Sequence, residues 1–558
     1  MANTGDIVSR IYSNFRGVDF RGDEINLVRS PDSLNVWKDY KETESIRTRP
    51  ALRLNAAFTE PIYGIFFYKD KMLVHSGTTL YSVENGAKKT IYSGLNEVPS
   101  ASFVYKDTWY FKDGKHYLQY NGSSIKEVSD YVPTTSIGRK PYGGGTTHED
   151  VNLLTGRRIN TFLADKVNTE FVLDSMNIDE DFHPIVKVNG ELVDNYEVDF
   201  AAGKITFTEA PPVPFTDGQD NVSVEFKKTI AGARDKIIKC TLLQVFDNRV
   251  FFSGNPDYPN TVWHCALNDP TYCSDLDYYE EGLDTAPIRG LVAGNNALWV
   301  FREPSDANTT VFYHTPTIDS DYGKIYPSQN SSITTGCVGK AINFNDDIVF
   351  FSDRGMEGIS GDITTEQVLA HRSSLVDRKL TAEENYADML LEEWEGYLVA
   401  FVGNKAYLAD SRAVFTNENH YEYEWFYWEF NQKVTCAKVN DGVLYVGMED
   451  GVYSLDDLES GVASYWVTPK DKFNSPHKLK TTNKRGCVAE AEGDISVDVK
   501  VEDGDFEPIG TYENVEDYFV SRIKRKKFKD IQLKFSSETR FSLETVTLEC
   551  FVGGYIKR

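Results

Sequence analysis

The sequence predicts an all-β protein: a β-propeller of about seven blades carrying an inserted β-sandwich domain and a C-terminal β domain. Three observations predict it. One unit recurs, in which an apolar strand, a tight polar turn and a second apolar strand lead through a short turn into a third. It reads at Tyr63–Val83, Ala101–Tyr120, Cys240–Ser253, Ile288–Glu303, Cys337–Ser352, Trp394–Ala409 and Val434–Leu455. The turns carry Lys-Asp, Asp-Asn, Asn-Asn, Asp-Asp, Gly-Asn or Asp-Gly, residues that tolerate the positive φ of a two-residue hairpin loop. Uninterrupted units stand roughly 40–50 residues apart, the length of a four-stranded blade. A lone blade cannot bury both faces of its sheet, so blades must stack around an axis.

Each segment follows from this rhythm. Residues 1–55 hold no repeat and break at Gly17, Ser30-Pro31-Asp32 and Arg49-Pro50. Such a lead-in strap runs along the ring or completes a blade by adding a strand. Residues 56–125 give the first blades. The rhythm then stops over 126–229, where a Gly-rich link (Tyr142–Thr147) opens an inserted β-sandwich. Its strands are expected at Thr169–Leu173, Ile185–Val188, Tyr196–Phe200, Lys204–Thr208 and Asn221–Phe226, with a turn at Asn189-Gly190 and a Pro-rich corner at Ala210–Pro214. Loops accept such additions at small entropic cost. Residues 230–460 resume the propeller. One helical passage is expected at Ser373–Glu393, where Thr381-Ala-Glu-Glu384 reads as a capping box and Leu375, Leu380, Tyr386, Met389 and Leu390 as an apolar face. The final segment, 461–558, opens with a Lys/Asn/Thr-rich loop, Pro469–Arg485, and then alternates as a separate C-terminal β domain.

The chain has 558 residues, 41% of them hydrophobic and 13% aromatic, with a formal charge of −26. That composition builds well-buried cores rather than disorder. The charge opposes a phosphate grip, since affinity for nucleic acid comes from Lys and Arg. Seven dispersed cysteines without a CxxC pair suggest buried, reduced thiols and synthesis in a reducing cytoplasm. Met1–Arg10 shows no apolar leader, and no apolar run approaches about 18 residues, so membrane insertion is not expected.

Catalytic signals are poor. The adjacent carboxylates Tyr279-Glu280-Glu281 and Glu392-Glu393 read as solvated surface, the second pair near a helix end. The nine His show no HExxH or HxH spacing, and Trp263-His264-Cys265 reads as a strand. No nucleophile elbow or P-loop is present. Asp174…Asn177-Ile-Asp179-Glu-Asp181 and Glu502-Asp503-Gly504-Asp505 gather oxygen ligands on turns without EF-hand spacing. Metal and cofactor are therefore expected to be none, and no enzyme activity is expected. In Tyr423–Trp428, alternation puts Tyr423, Trp425 and Tyr427 on one face and Phe426 and Trp428 on the other, for packing between blades. The clearest charge feature is the basic run Arg522, Lys524, Arg525, Lys526, Lys527 and Lys529 in an otherwise acidic chain. It can hold phosphate, guard a strand edge, or meet the negative surface of a second copy; the last is the favoured reading.

Several phrases carry a resemblance. They are NFRGVDF…SPDSLNVW…RTRP in the lead-in and LLTGRRINTFLAD…VKVNGELVDNYEVDFAAGKITFTEAPP…DNVSVEF in the insert. NRVFFSGNPDYPNTVWHCALNDPTY, CVGKAINFNDDIVFFSDRGMEGIS, YEYEWFYWEF and RIKRKKFKDIQLKFSSETRFSLETVTLECFVGG follow in order. Together they resemble propeller subunits of the tail hub or nozzle of tailed bacteriophages, the tail tubular protein B-like group. The resemblance implies a virion tail protein made in the host bacterial cytoplasm. It implies a homo-oligomer, a ring of six, meeting adaptor or portal-side proteins and tail fibres. Double-stranded DNA would pass through during ejection without sequence-specific binding. The alternative from the residues is a carbohydrate-binding or glycoside-cleaving propeller, which requires carboxylates converging at one mouth.

Overall fold

The computed structural model describes residues 6–22, 26–41, 45–306, 309–320, 323–360, 368–417 and 420–555. Residues 1–5, part of the stretch read for a leader, lie outside the described residues. The protein is a β-propeller, with seven four-stranded sheets among the described residues. The chain divides into two compact units, residues 1–93 with 335–558, and residues 94–334.

The hairpins form where the turn residues allow. Asp247 and Asn248 have φ of 47° and 57°, Asn295 and Asn296 51° and 59°, and Asp441 and Gly442 48° and 77°. Two consecutive positive φ values match the twist of the flanking strands, and Asn, Asp and Gly reach them at least cost. One turn is shifted. At Asn345-Asp346-Asp347 the positive φ values fall on Asn345 and Asp346. Asp347 instead begins a strand, buried, and accepts from Arg372 Nε at 2.8 Å.

In the first unit, blade 1 holds strands Ile62–Tyr68, Lys71–Ser76, Thr79–Glu84 and Ala87–Ser93. Blade 5 runs from Ala341–Phe344 to Val368–His371, and blade 6 from Leu390–Trp394 to His420–Glu429. Blade 7 takes only three strands from its own stretch, within Cys436–Asp457. The fourth is Ala51–Ala57 from the lead-in, antiparallel to Gly451–Asp457. The rest of the lead-in joins the C-terminal sheet. Its first strand, residues 6–13, lies antiparallel to residues 545–552, and Val36–Lys38 pairs with Ile46–Thr48, which pairs in turn with Ser542 and Leu543. The C-terminal sheet is not separate from the propeller: its Leu533, Phe535, Leu543 and Val546 share one core with Trp394, Phe426 and Trp428 of blade 6 and Leu444 of blade 7. Trp37 of the lead-in stacks on Trp394 at 4.9 Å and 24°, and Trp428 Nε1 donates to Val36 O at 3.0 Å.

The second unit holds blade 2 (Ala101–Glu127), blade 3 (Leu242–Glu280) and blade 4 (Ile288–Asn330), together with the insert. The insert is two sheets, of six and three strands, over a core that includes Phe162, Phe171, Val186, Ile205, Val224 and Phe226. Its strands Glu170–Val172, Ile185–Val188, Tyr196–Asp199, Lys204–Phe207 and Val222–Lys227 fall where alternation placed them. Strands Thr134–Arg139, Thr146–Thr147, Arg157–Phe162 and Glu191–Val193 complete it. A short helix, Ala233–Ile238, leads back to blade 3. The fully buried Lys112 of blade 2 donates its ammonium to a carbonyl in the last turn of that helix, Ile237 O. Burial lowers its pKa to about 8, and the helix C-terminus offers the partial negative charge that keeps a cation there.

The passage Ser373–Glu393 is not a helix. Only Asp377–Leu380 is α-helical, Tyr386–Asp388 is one 3₁₀ turn, and Leu390 already begins blade 6. Thr381 closes the short helix rather than opening one, and its hydroxyl donates to Asp377 O at 2.8 Å. Leu375, Leu380, Tyr386 and Met389 are all buried, but as irregular chain folded onto blades 5 and 6.

Candidate functional site

The basic run lies on the C-terminal sheet, in the link after strand Tyr518–Ser521 and in the two-residue strand Lys527–Phe528. Ile523 and Phe528 anchor it, 3% and 0% exposed, while Arg522, Lys524, Arg525, Lys527 and Lys529 face solvent. Apolar residues placed between cations thus hold the backbone down and turn the charges out. The long strand Lys478–Val501 forms the floor, with Lys480 opposite Phe528 and Thr481 opposite Lys527. Thr482 ties the link at three points. Its N–H donates to Lys526 O at 3.1 Å, its hydroxyl donates to Lys524 O at 3.2 Å, and it accepts from Lys526 N at 3.0 Å.

The six cations are not equivalent. Lys526 Nζ is spent on Glu507 at 2.5 Å. Arg522, Lys524, Arg525, Lys527 and Lys529 make no ion pair among the described residues. The fold adds two more charges that the run itself does not show. The floor strand bulges between Thr482 and Cys487, and exposed Lys484 and Arg485 stand on that bulge. Gly486, at φ +71°, brings it against the run: a Cβ there would fall 2.1 Å from Ser521 O and 2.5 Å from Ile523 N. Beneath, the buried Lys480 donates to Lys529 O at 2.7 Å, its pKa lowered by desolvation. The patch can therefore do electrostatic docking: eight exposed or part-exposed cations on one sheet, most without an internal counter-ion.

The carboxylate pairs do not assemble a catalytic dyad. Glu281 is not at the surface, as its run of polar neighbours suggested, but fully buried. It contacts His314 Nε2 at 2.8 Å and accepts from Ser328 at 2.5 Å, while His314 Nδ1 faces Tyr326 O at 2.7 Å. Glu280 beside it is exposed. Glu392 and Glu393 lie in mid-strand, not near a helix end, so they point to opposite faces; Glu392 pairs with Lys438 at 3.2 Å. His264 sits in a wholly buried strand, its pKa lowered to about 4 by desolvation. The turn carboxylates tie their loops to other segments: Asp174 accepts from Thr135 and Asn160, Asp181 pairs with Lys227, and Asp503 with Lys470. Among the described residues no group of three or more His, Cys, Asp or Glu is poised to hold a metal. The seven cysteines form no disulfide among the described residues, and burial pushes Cys240, Cys265, Cys436, Cys487 and Cys550 up to about 12. No described helix is long and apolar enough to cross a membrane. The aromatic run Tyr423–Trp428 is interior, with Tyr423, Trp425 and Tyr427 in the core toward blade 5 and Phe426 and Trp428 in the core toward the C-terminal sheet.

No protein-family model matches the chain, and no curated protein matches it. Among solved structures, it is similar to BamB from Moraxella catarrhalis, at 9% identity over 73% of this chain and 96% of that one, with a TM-score of 0.34. It is similar to the computationally designed Ika8 protein at 11% identity, over 72% and 99% of the two chains, with a TM-score of 0.31. An exo-beta-1,3-galactanase from Phanerochaete chrysosporium gives 9% identity over 55% and 95%, with a TM-score of 0.23. Likenesses this weak support no assignment of function, and the propeller rests on the chain's own seven sheets.

Proposed function

We propose that the chain is a non-enzymatic structural subunit of a bacteriophage virion tail, a hub or nozzle ring that conducts double-stranded DNA and carries fibres. The observation that carries this reading is where the tail-like phrases of the lead-in fall. Gly17, in NFRGVDF, meets blade 6 so closely that a Cβ would lie 2.0 Å from Trp425 O. Asn35, in SPDSLNVW, accepts from Arg49 Nε at 3.0 Å and Glu429 N at 2.9 Å, and donates to Ala463 O at 2.9 Å. Arg49, in RTRP, is buried, its pKa lowered to about 10 by desolvation, and donates to Glu429 O at 3.0 Å. These residues form the knot that ties lead-in, blade 6 and C-terminal sheet together, so the phrases are architectural and not decorative.

The docking patch supports assembly. A chain of charge −26 repels its own copies unless positive surface meets negative, and exposed cations supply that complementarity. The same acidity discourages passing DNA from adhering to the wall. The ring has six copies, lies below the portal and adaptor, and belongs to the virion. Replacing Lys524, Arg525, Lys526 and Lys527 with Gln is expected to convert rings to monomers in sedimentation velocity. Wild-type rings should loosen as salt shortens the screening length to about 3 Å at 1 M. Rings of unchanged mass in the Gln variant would remove the patch from the contact.

A further inference from the structure

A second cationic feature stands apart from the patch, in a wide, open depression. Between the lead-in and the link from blade 5 to blade 6 lies a cleft of about 450 Å³, lined by Phe20, Arg378, Lys379, Ala382, Glu383 and Lys405. Three of the lining residues are cations and one is a carboxylate, with Glu429 and Asp32 also close enough to attract Lys379. The lining carboxylate is already taken: Glu383 Oε2 accepts from Lys405 Nζ at 2.6 Å and Oε1 from the Tyr407 hydroxyl at 2.7 Å. Arg378 and Lys379 make no ion pair among the described residues. Lys379 is half-buried against ring faces, with Nζ 3.4 Å from the Tyr427 centroid and 4.7 Å from that of Phe20. The rings are fixed, edge to face at 5.7 Å, with Phe20 N donating to Leu375 O at 2.8 Å.

Ring faces attract a cation but accept none of its hydrogen bonds as a carboxylate would. Desolvation, ahead of the attraction of Glu429 and Asp32, lowers the Lys379 pKa. A part-dehydrated ammonium beside an exposed guanidinium in a concave wall is the arrangement that attracts an oxyanion: the guanidinium gives a planar two-pronged contact and the ammonium a point charge.

We propose that this cleft is an oxyanion-binding site, in which Arg378 and Lys379 take a carboxylate or phosphate group and Lys405 with Glu383 forms its wall. It stands independently of the ring reading. Two sources present that chemistry, an acidic peptide segment and free phosphate, and one experiment separates them. In the full chain carrying the four Gln substitutions of the docking patch, calorimetric titration at low salt uses hexaglutamate in one arm and inorganic phosphate in the other. At least one probe is expected to bind with one-to-one stoichiometry, about ten-fold or more weaker in the Arg378→Gln/Lys379→Gln variant. Ala382→Glu, which places a tethered carboxylate in the cleft, should abolish binding while the melting temperature holds. Affinity should fall as pH rises through the lowered lysine range, because only the ammonium binds. Tighter hexaglutamate identifies a peptide ligand and tighter phosphate a free one. If neither probe binds, or both bind equally to the variants, the site does not exist.

Discussion

A chain beginning at residue 58 is expected to lose its cooperative fold. The lead-in supplies the outer strand of blade 7, and without it Gly451–Asp457 becomes a raw edge with an unpaired row of backbone donors and acceptors. It also fills a core. Tyr12, Phe15, Val18, Val36, Trp37 and Ile46 are each at most 5% exposed, and burial of each is worth about 1.5–3 kcal/mol. A whole domain is stable by only about 5–15 kcal/mol, so losing all six removes the margin. Ala56 shares a further cluster with Phe58, with Ile62, Ile65 and Val74 of blade 1 and with Val452 of blade 7, so the seam between these blades loses a buried contact as well. Near-ultraviolet circular dichroism and thermal unfolding check this: the truncated chain should show no aromatic signal and no sharp transition. Native melting of that fragment would mean that the strap is an ornament.

Arg29→Met is expected to cost about 3–5 kcal/mol, the penalty for leaving a buried charge uncompensated. Glu424 of blade 6 is fully buried, and Arg29 grips it with both prongs, Nε at 2.7 Å and Nη2 at 2.6 Å. Its other cationic neighbour, Arg16, is 3.6 Å away and 45% exposed, too solvated to replace the fork. The guanidinium also covers the Phe415 ring at 4.3 Å. The double variant Arg29→Met/Glu424→Met should recover most of the loss, because removing both charges also removes the desolvation penalty. Chemical denaturation of the three chains gives the coupling. A single variant within 1 kcal/mol of wild type, or a double variant as unstable as the single, contradicts the assignment.

The hairpin positions were legible because a two-residue loop leaves few choices: Asp247-Asn248 and Asn295-Asn296 announce positive φ in the residues themselves. The insert was legible by alternation, and the aromatic run of blade 6 by the same rule. What stayed hidden depended on partners distant in sequence. Ala51–Ala57 has no local partner, so the sequence left it between running along the ring and completing a blade. Lys480 reads as a loop lysine, yet its methylene stem is buried in a strand and its ammonium reaches Lys529 O. Glu281 reads as surface because nothing adjacent reveals His314. The apolar residues Leu375, Leu380 and Tyr386 belong to a chain pressed onto two blades, not to a helix face. Of the docking patch, the run from Arg522 to Lys529 was visible, whereas Lys484 and Arg485 arrive only through the bulge at Gly486. The oxyanion cleft was invisible, since Phe20, Arg378 and Lys405 meet only after folding.

Electron microscopy of the purified full-length protein at low salt tests the central claim most directly. A tail ring subunit gives class averages with rotational symmetry, six-fold for the stoichiometry proposed, around an open centre. Single particles of about one chain's mass under every condition, above all if they also release sugar from a polysaccharide, would contradict it.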